Sequence, residues 1–233
     1  MNHASRKRWL GLLAALVLAA LVFTLWPGLD LWFTGLFHAP GAGFPLARSA
    51  MLEAARNAVW DLSIALWLLS LVGLVLAVFG RRLAGVGARV WGFVFTLYLL
   101  GPGLLVNGLL KQHWGRARPA DVTEFGGALH FTPALIPSDQ CSSNCSFVSG
   151  EGSAAVVLGI ALLTLRPALA GRLPGWALRP WGAAAVLLPV AALLQRIATG
   201  RHFLSDSVFA ALFVCLLALV LGALILQRDA RRS

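Results

Sequence analysis

The stretch from Val208 to Leu226 reads VFAALFVCLLALVLGALIL and contains no charged residue. About 20 predominantly apolar residues are enough for a helix to cross the hydrocarbon core of a bilayer. The stretch therefore predicts a transmembrane helix. A charged stretch, Arg196-Ile-Ala-Thr-Gly-Arg201-His202-Phe-Leu-Ser-Asp206, lies directly before it. Ionisable residues beside a membrane span indicate a functional site, because their burial near lipid is costly.

Five further apolar runs precede this one, and the chain as a whole is 59% hydrophobic and only 12% charged. This composition excludes an ordinary soluble domain and indicates an integral membrane protein. We therefore predict an all-α, polytopic membrane protein in which residues 1–233 form a single six-transmembrane-helix bundle. The fourth and fifth of the six runs are short, and their helices are expected to extend into the flanking loops. The five preceding runs are Leu10–Trp26, Trp60–Phe79, Val90–Leu110, Gly152–Leu165 and Trp181–Leu194.

The distribution of charge predicts the orientation in the membrane. The net charge is +10, but the cations are spread over short loops, which excludes nucleic acid as the partner. With loops on alternate sides, one side carries twelve cations and a single acid, Asp229. The positive-inside rule places that side and both termini in the cytoplasm, and the acidic loops outside. The twelve cations are Arg6, Lys7, Arg8, Arg81, Arg82, Arg89, Arg166, Arg172, Arg179, Arg228, Arg231 and Arg232.

Two long loops are predicted on the outer side. The first contains Leu46–Asn57, which is expected to form either a surface helix or a packed connector. The second, Lys111–Gly150, contains three prolines and a Ser/Cys/Asn cluster, so irregular structure is predicted. Cys141 and Cys145 lie in it. Outside the cytoplasm they could form a disulfide or remain two free thiols, and metal binding is disfavoured because no histidine adjoins them.

The charged stretch before the last helix contains a histidine and an aspartate four residues apart. On a helix this spacing would place His202 and Asp206 on one face. A carboxylate that holds an imidazole fixes its tautomer and makes one ring nitrogen a nucleophile or a base. Arg196 adds fixed positive charge for an anionic substrate. Taken alone, the pair could also be a structural contact.

Two more polar clusters lie on the same predicted face. Lys111 and Arg118 follow the third helix, and Pro119 predicts that this helix ends before Arg118, which then turns inward from a loop. By itself this cluster resembles a basic collar at a membrane interface. Ser149 is a good N-cap for the fourth helix, and Gly150 lets the backbone approach a ligand closely. Free N–H groups at a helix start bind anions.

Together, the three clusters describe phosphoryl transfer through a phosphohistidine. Their spacing resembles that of the type 2 phosphatidic acid phosphatase superfamily of membrane lipid phosphatases, whose motifs are Lys-x6-Arg-Pro, Pro-Ser-Gly-His and Ser-Arg-x5-His-x3-Asp. Residues 111–119 match the first motif in full. Arg196, His202 and Asp206 match the third, although Gln195 replaces its serine. The resemblance covers residues 111–206 in family order.

The resemblance implies a role for each matching residue. His202 is expected to attack phosphorus and Asp206 to orient it, with no metal and no cofactor. The remaining matching residues are expected to bind the phosphate and to stabilise charge in the transition state. They are Lys111, Arg118, Ser149, Gly150 and Arg196.

The second motif departs from the family pattern after its Ser-Gly centre. Glu151 stands where the family has the histidine that protonates the leaving alkoxide. We predict that Glu151 is itself the general acid, with a pKa raised by burial. The alternatives are that His113 or His130 donates this proton, or that the acid step has been lost. Glutamate at this place also resembles a bacterial subset of the family that includes lipid A phosphatases.

A site at the outer membrane boundary predicts a lipid phosphate as substrate and a bacterial inner membrane as the location. Lipid A is favoured, because four further cations suit a multiply phosphorylated head group. Undecaprenyl diphosphate, phosphatidylglycerol phosphate and phosphatidic acid are the alternatives. A non-catalytic lipid-phosphate binder or flippase is the rival of another class, and a vanadate-dependent haloperoxidase is disfavoured because such enzymes are typically soluble. The four cations that favour lipid A are Arg48, Arg56, Arg116 and Arg201. No oligomeric state follows from the sequence.

Overall fold

The fold is an all-helical bundle, described by a computed structural model over residues 3–226. Six of its helices are long and apolar enough to cross a membrane, which confirms the predicted six-helix architecture. Within this range no β-strand is formed. Four charged residues used above to predict the orientation lie outside the described residues; they are Arg228, Asp229, Arg231 and Arg232.

The helices follow one another through mostly short connections. Helix α4 continues as a π-helical segment, Leu99–Leu110, into the single turn α5, and α8 continues as a second π-helical segment, Gly222–Leu226. The helices are α1 His3–Leu25, α2 Gly28–Gly35, α3 Ala50–Val78, α4 Ala88–Tyr98, α5 Lys111–His113, α6 Gly150–Ala170, α7 Gly175–Ala198 and α8 Leu204–Leu221. Short 3₁₀ turns cover Pro45–Arg48, Leu83–Gly85, Pro119–Asp121 and Thr123–Phe125.

Helix α3 differs from the prediction at its start. Leu46–Asn57 was expected to form a separate surface helix or a connector, but from Ala50 onward it belongs to the membrane-spanning helix itself. Ser49 caps this helix by accepting a hydrogen bond from the backbone N–H of Leu52. No glycine or proline interrupts residues 50–72, so nothing breaks the helix at the membrane boundary. The first three turns of α3 therefore project beyond the predicted span.

The π-helical segment after α4 contains Pro102. Proline cannot donate the usual helical hydrogen bond and crowds the preceding turn, and wider turns accommodate both defects. The side-chain amide of Asn107 donates to the Pro102 carbonyl oxygen at 2.7 Å. This arrangement carries the helix without a break to Lys111, whose side chain is buried at one end of the bundle.

Helix α6 is the most buried of the spans and packs along α7. Small residues allow this close approach, as is common for helices in membranes. A Cβ atom at Gly159 would lie 2.3 Å from the Ala185 carbonyl oxygen and 2.7 Å from Cγ of Pro189. The position of α6 matters because its first turn contributes to the site described below.

Replacing Gly159 with alanine should destabilise the protein, because α7 backbone would have to move to accept the new methyl group. Overpacking of this kind costs about 1–3 kcal/mol. The matched control is Gly11→Ala in α1, where no atom lies within 4 Å of the position of the new Cβ. Thermal unfolding in detergent should show a lower midpoint for Gly159→Ala and an unchanged or higher one for Gly11→Ala. Equal midpoints would contradict the close α6–α7 contact.

Candidate active site

A cavity of about 340 Å³ opens at the end of the bundle where α3, α5, α6 and α7 meet the loop before α8. We call it the cationic pocket, because five cations line it and only two acids do. Six of the eight residues predicted for catalysis or phosphate binding line this cavity, and the other two, Ser149 and Asp206, lie behind its wall. The charged lining residues are Arg56, Lys111, Arg118, Arg196, Arg201, Glu53 and Glu151.

His202 reaches the pocket from the turn between α7 and α8. His202 and Asp206 do not share a helix, because α8 begins only at Leu204. Asp206 lies in the first turn of α8, where its Oδ2 accepts a hydrogen bond from the Phe203 backbone N–H at 2.8 Å. The turn nevertheless brings the two side chains together. His202 Nδ1 lies 3.7 Å from Asp206 Oδ2, which is longer than a hydrogen bond.

The environment of His202 favours a neutral imidazole. Burial lowers its pKa to about 4, and the positive charges of Lys111 and Arg196 act in the same direction. The nearby carboxylate of Asp206 opposes them without prevailing. A neutral imidazole retains the lone pair that a nucleophile needs.

Asp206 is held by a buried ion-pair network that the sequence did not reveal. Its Oδ1 accepts a hydrogen bond from Arg116 Nη1 at 2.6 Å, and its Oδ2 accepts one from the Ser146 hydroxyl. Arg116 Nη2 also donates to Asp30 Oδ2 at 2.8 Å. The guanidinium is fully buried and lies 4.3 Å from the ring centroid of Phe203. Arg116 was expected to favour a charged head group, but its burial in this network removes it from any such contact.

Asp30 completes the network from the other end of the chain. It lies on α2, and its carboxylate also accepts hydrogen bonds from the Ser205 backbone N–H at 2.8 Å and from the Ser205 hydroxyl. Burial raises the pKa of Asp30, and the charge of Arg116 opposes this shift. No spacing rule links residue 30 to residue 206, so only the folded structure identifies this contact.

Lys111 and Arg118 both contact the loop before α6. Lys111 Nζ donates to the Cys145 carbonyl oxygen at 3.0 Å, and the Lys111 carbonyl accepts from the Cys145 N–H at 2.9 Å. Arg118 Nη2 donates to the Asn144 carbonyl oxygen at 2.8 Å. In the structure a disulfide joins Cys141 to Cys145 and closes this part of the loop. Arg118 is extended before a proline, in agreement with the expectation that it turns inward from a loop.

The start of α6 has the predicted cap. The buried Ser149 hydroxyl oxygen accepts a hydrogen bond from the Gly152 N–H at 3.1 Å, so this side chain supports the helix from behind the pocket. Gly150 lines the pocket, and a Cβ atom there would lie 2.7 Å from Asn107 Oδ1. Its missing side chain thus permits a close contact with Asn107. The cap satisfies the Gly152 N–H, whereas the N–H groups of Gly150 and Glu151 have no acceptor within the helix and are left for an anion in the pocket.

Glu151 makes a two-point ion pair that argues against the predicted acid role. Its Oε2 and Oε1 accept hydrogen bonds from Arg56 Nε and Nη2, each at 2.7 Å, and Arg196 Nη1 lies 3.3 Å from Oε2. A carboxyl group whose two oxygens both accept from guanidinium groups is in its ionised form and has no proton to give. The alternative donors His113 and His130 are not among the residues that line the pocket.

Known proteins resemble this chain in sequence. A family model described as the PAP2 superfamily matches residues 89–230. The chain belongs to the PAP2 superfamily. It is similar to proteins named lipid A 4'-phosphatase from Rhizobium leguminosarum (35% identity over 85% of this chain and 90% of the relative) and Rhizobium etli (34% over 79% and 74%). A protein of the same name from Francisella tularensis subsp. novicida is 38% identical over 58% of each chain.

No solved structure matches the chain. The family and the relatives identify this PAP2 protein as an enzyme, a membrane lipid phosphatase. The matched region contains every residue predicted for catalysis and phosphate binding, but it does not contain Asp30 or Arg56. Part of the pocket lining and one member of the Arg116 network therefore lie outside the region that the family model matches, which we call the family region.

Removing the Asp30 carboxylate should damage both stability and activity of this PAP2 protein. Asp30→Ala leaves the buried Arg116 with one carboxylate instead of two, and breaking a buried ion pair costs about 3–5 kcal/mol. The control is Asp61→Ala on the exposed surface of α3. Thermal unfolding in detergent and phosphatase rates should both fall for Asp30→Ala only. A variant as stable and active as the Asp61 control would contradict a supporting role for the network.

The imidazole of His202 should titrate near pH 4 in the folded protein. Because this pKa lies below the unfolded value of 6.5, the contribution of His202 to stability is complete above about pH 6.5 and is lost as the pH falls toward 4. NMR of the ¹⁵N-labelled histidines, assigned by comparison with His202→Ala, measures this pKa directly. A midpoint close to 6.5 would show that the buried environment described here is incorrect.

Proposed function

We propose that this enzyme removes a phosphate group from lipid A by way of a phosphohistidine at His202. The observation that carries the proposal is the position of a neutral histidine in a pocket lined by cations. Such a pocket attracts a phosphate and places its phosphorus beside the imidazole. The cations then stabilise the charge that spreads over the phosphate oxygens in the transition state.

The reaction has two steps. The Nε2 lone pair attacks phosphorus, since Nδ1 faces Asp206. The ester P–O bond breaks and the leaving oxygen takes a proton from a water molecule. Water then attacks the phosphohistidine, the P–N bond breaks, and inorganic phosphate leaves with His202 restored to neutral. Lys111, Arg118 and Arg196 neutralise the phosphate charge in both steps, together with the first N–H groups of α6. In this mechanism no metal ion is required.

Two observations support a lipid substrate of the lipid A type. The two Rhizobium relatives, which align with this chain over most of their own length, are named lipid A 4'-phosphatase. In addition, an apolar groove of about 110 Å³ between α3 and α7 shares Arg56, Glu151 and Arg196 with the cationic pocket. The acyl chains of a lipid could therefore lie in this groove while its phosphate occupies the cationic pocket.

We also propose that the pocket faces the outside of a bacterial inner membrane, with both termini in the cytoplasm. The loop charges support this orientation through the positive-inside rule. The substrate would then be reached from the outer leaflet. Undecaprenyl diphosphate, phosphatidylglycerol phosphate and phosphatidic acid are the comparison substrates in the test below.

Phosphate release by the purified protein in detergent tests the proposal. We expect turnover of lipid A in the presence of a chelator, inhibition by vanadate, and a higher kcat/KM for lipid A than for the other three lipids. His202→Ala should lose turnover while remaining folded, as a cooperative unfolding transition in detergent would show. Rapid quenching with ³²P-labelled lipid A should trap an acid-labile, base-stable phosphoprotein in the wild type only.

Each outcome bears on a different part of the proposal. Turnover retained in His202→Ala would exclude it as the nucleophile. Preference for another lipid would replace lipid A as the substrate while leaving the chemistry intact. Binding of all four lipids without phosphate release would favour the non-catalytic binder or flippase.

A further inference from the structure

Glu151 joins two arginines from different helices across the mouth of the cationic pocket. Arg56 is on α3, and Arg196 is in the last turn of α7. Arg56 Nη1 also donates a hydrogen bond to Glu53 Oε1, one turn earlier on the same helix. The three helices α3, α6 and α7 are therefore linked by charge at the point where the phosphate is expected to bind.

We propose that Glu151 is a positioning residue, and that the ionised Arg56–Glu151 pair fixes the guanidinium of Arg196 in the pocket. The proposal rests on the phosphatase function proposed above, because it concerns how the site holds the phosphate of the substrate. It replaces the assignment of Glu151 as general acid. It also assigns a function to Arg56, a residue outside the family region.

Three features of the geometry support an ionised Glu151. Both carboxylate oxygens accept from Arg56 at 2.7 Å, which is the short two-point geometry of a guanidinium–carboxylate pair. Glu151 lies in the first turn of α6, where the helix dipole favours negative charge. Its side chain is only 25% exposed, so solvent competes weakly for these contacts.

Arg196 depends on this carboxylate for its position. Its side chain is 9% exposed, and its Nε is buried without a hydrogen-bond partner. Among the described residues, Glu151 is the only acid within ion-pair distance of Arg196. Nε makes no hydrogen bond, so the Glu151 carboxylate is the contact that directs Nη1 of Arg196. A guanidinium that is already directed reduces the ordering cost of binding a phosphate.

A leaving-group comparison separates positioning from acid catalysis. Glu151→Gln should be assayed on an alkyl phosphate, whose leaving alkoxide needs a proton, and on para-nitrophenyl phosphate, whose leaving phenolate does not. A positioning role predicts the same loss of kcat/KM on both substrates, about 10- to 100-fold. An acid role predicts a loss of about 10²–10⁴-fold on the alkyl phosphate, with little or none on the aryl one. That second pattern would overturn the proposal.

Changing Arg56 gives opposite results under the two roles. If Glu151 is an acid, Arg56→Ala frees its carboxylate to take up a proton, so kcat should stay constant or rise. If Glu151 is a positioning residue, Arg56→Ala should lower kcat/KM, and Arg56→Lys should restore part of it. The double variant Arg56→Ala/Glu151→Gln should lose no more than the worse single variant. Fully additive losses, or a gain in Arg56→Ala, would contradict the pair.

Binding of inorganic phosphate provides a measurement without turnover. Glu151→Gln removes a negative charge, so a purely electrostatic effect would tighten phosphate binding in titration calorimetry. We expect weaker binding instead, because Arg196 loses its anchor, and tighter binding would overturn the proposal. The controls are Glu124→Gln and Arg81→Ala, two exposed residues outside the pocket.

These tests also distinguish failure of the inference from failure of the proposed function. A wild-type protein that hydrolyses neither phosphate ester nor lipid A would contradict the phosphatase proposal. An active wild type whose Glu151→Gln variant loses only the alkyl substrate would contradict the positioning role alone. Unfolding midpoints of all variants, measured in the same detergent, show that losses do not come from misfolding.

Discussion

The active site depends on one buried guanidinium. Arg116 is fully inaccessible to solvent and pairs with Asp206 on one side and Asp30 on the other. Burying a charge is costly unless partners satisfy it, so this arrangement is stable only when all three groups are in place. Asp206 then faces His202, and its carboxylate also accepts a hydrogen bond from the Phe203 N–H in the turn between α7 and α8. His202 is thus positioned by residues that do not line the cationic pocket.

A second set of charges organises the mouth of the pocket. The pocket must concentrate positive charge for a phosphate, yet cations held together repel one another when no anion is present. Two acids, Glu53 and Glu151, reduce this repulsion by pairing with Arg56 and Arg196. The same pairs set the directions in which the guanidinium groups point. Charge balance and geometry are therefore provided by the same contacts.

The sequence predicted the helices well and the site in part. Apolar runs identify the six spans because the bilayer requires them, and motif spacing identified Lys111, Arg118, Arg196 and His202. Arg116 was misjudged, since an arginine beside a membrane surface has the same sequence pattern whether it is buried or exposed. The pairing of Glu151 with Arg56 was also missed, because the two residues are 95 positions apart in the chain. Burial and long-range pairing are properties of the fold, which local spacing does not encode.

The contact between Asp30 and Arg116 spans 86 residues of the chain. It also crosses the boundary of the family region, which begins at residue 89. A fragment that begins there would retain all three motifs and lose both Asp30 and Arg56. The matched region is therefore shorter than the part of the chain that forms the cationic pocket and the Arg116 network. Asp30 is synthesised before Arg116 and Asp206, so the complete network forms only after α8 has been synthesised.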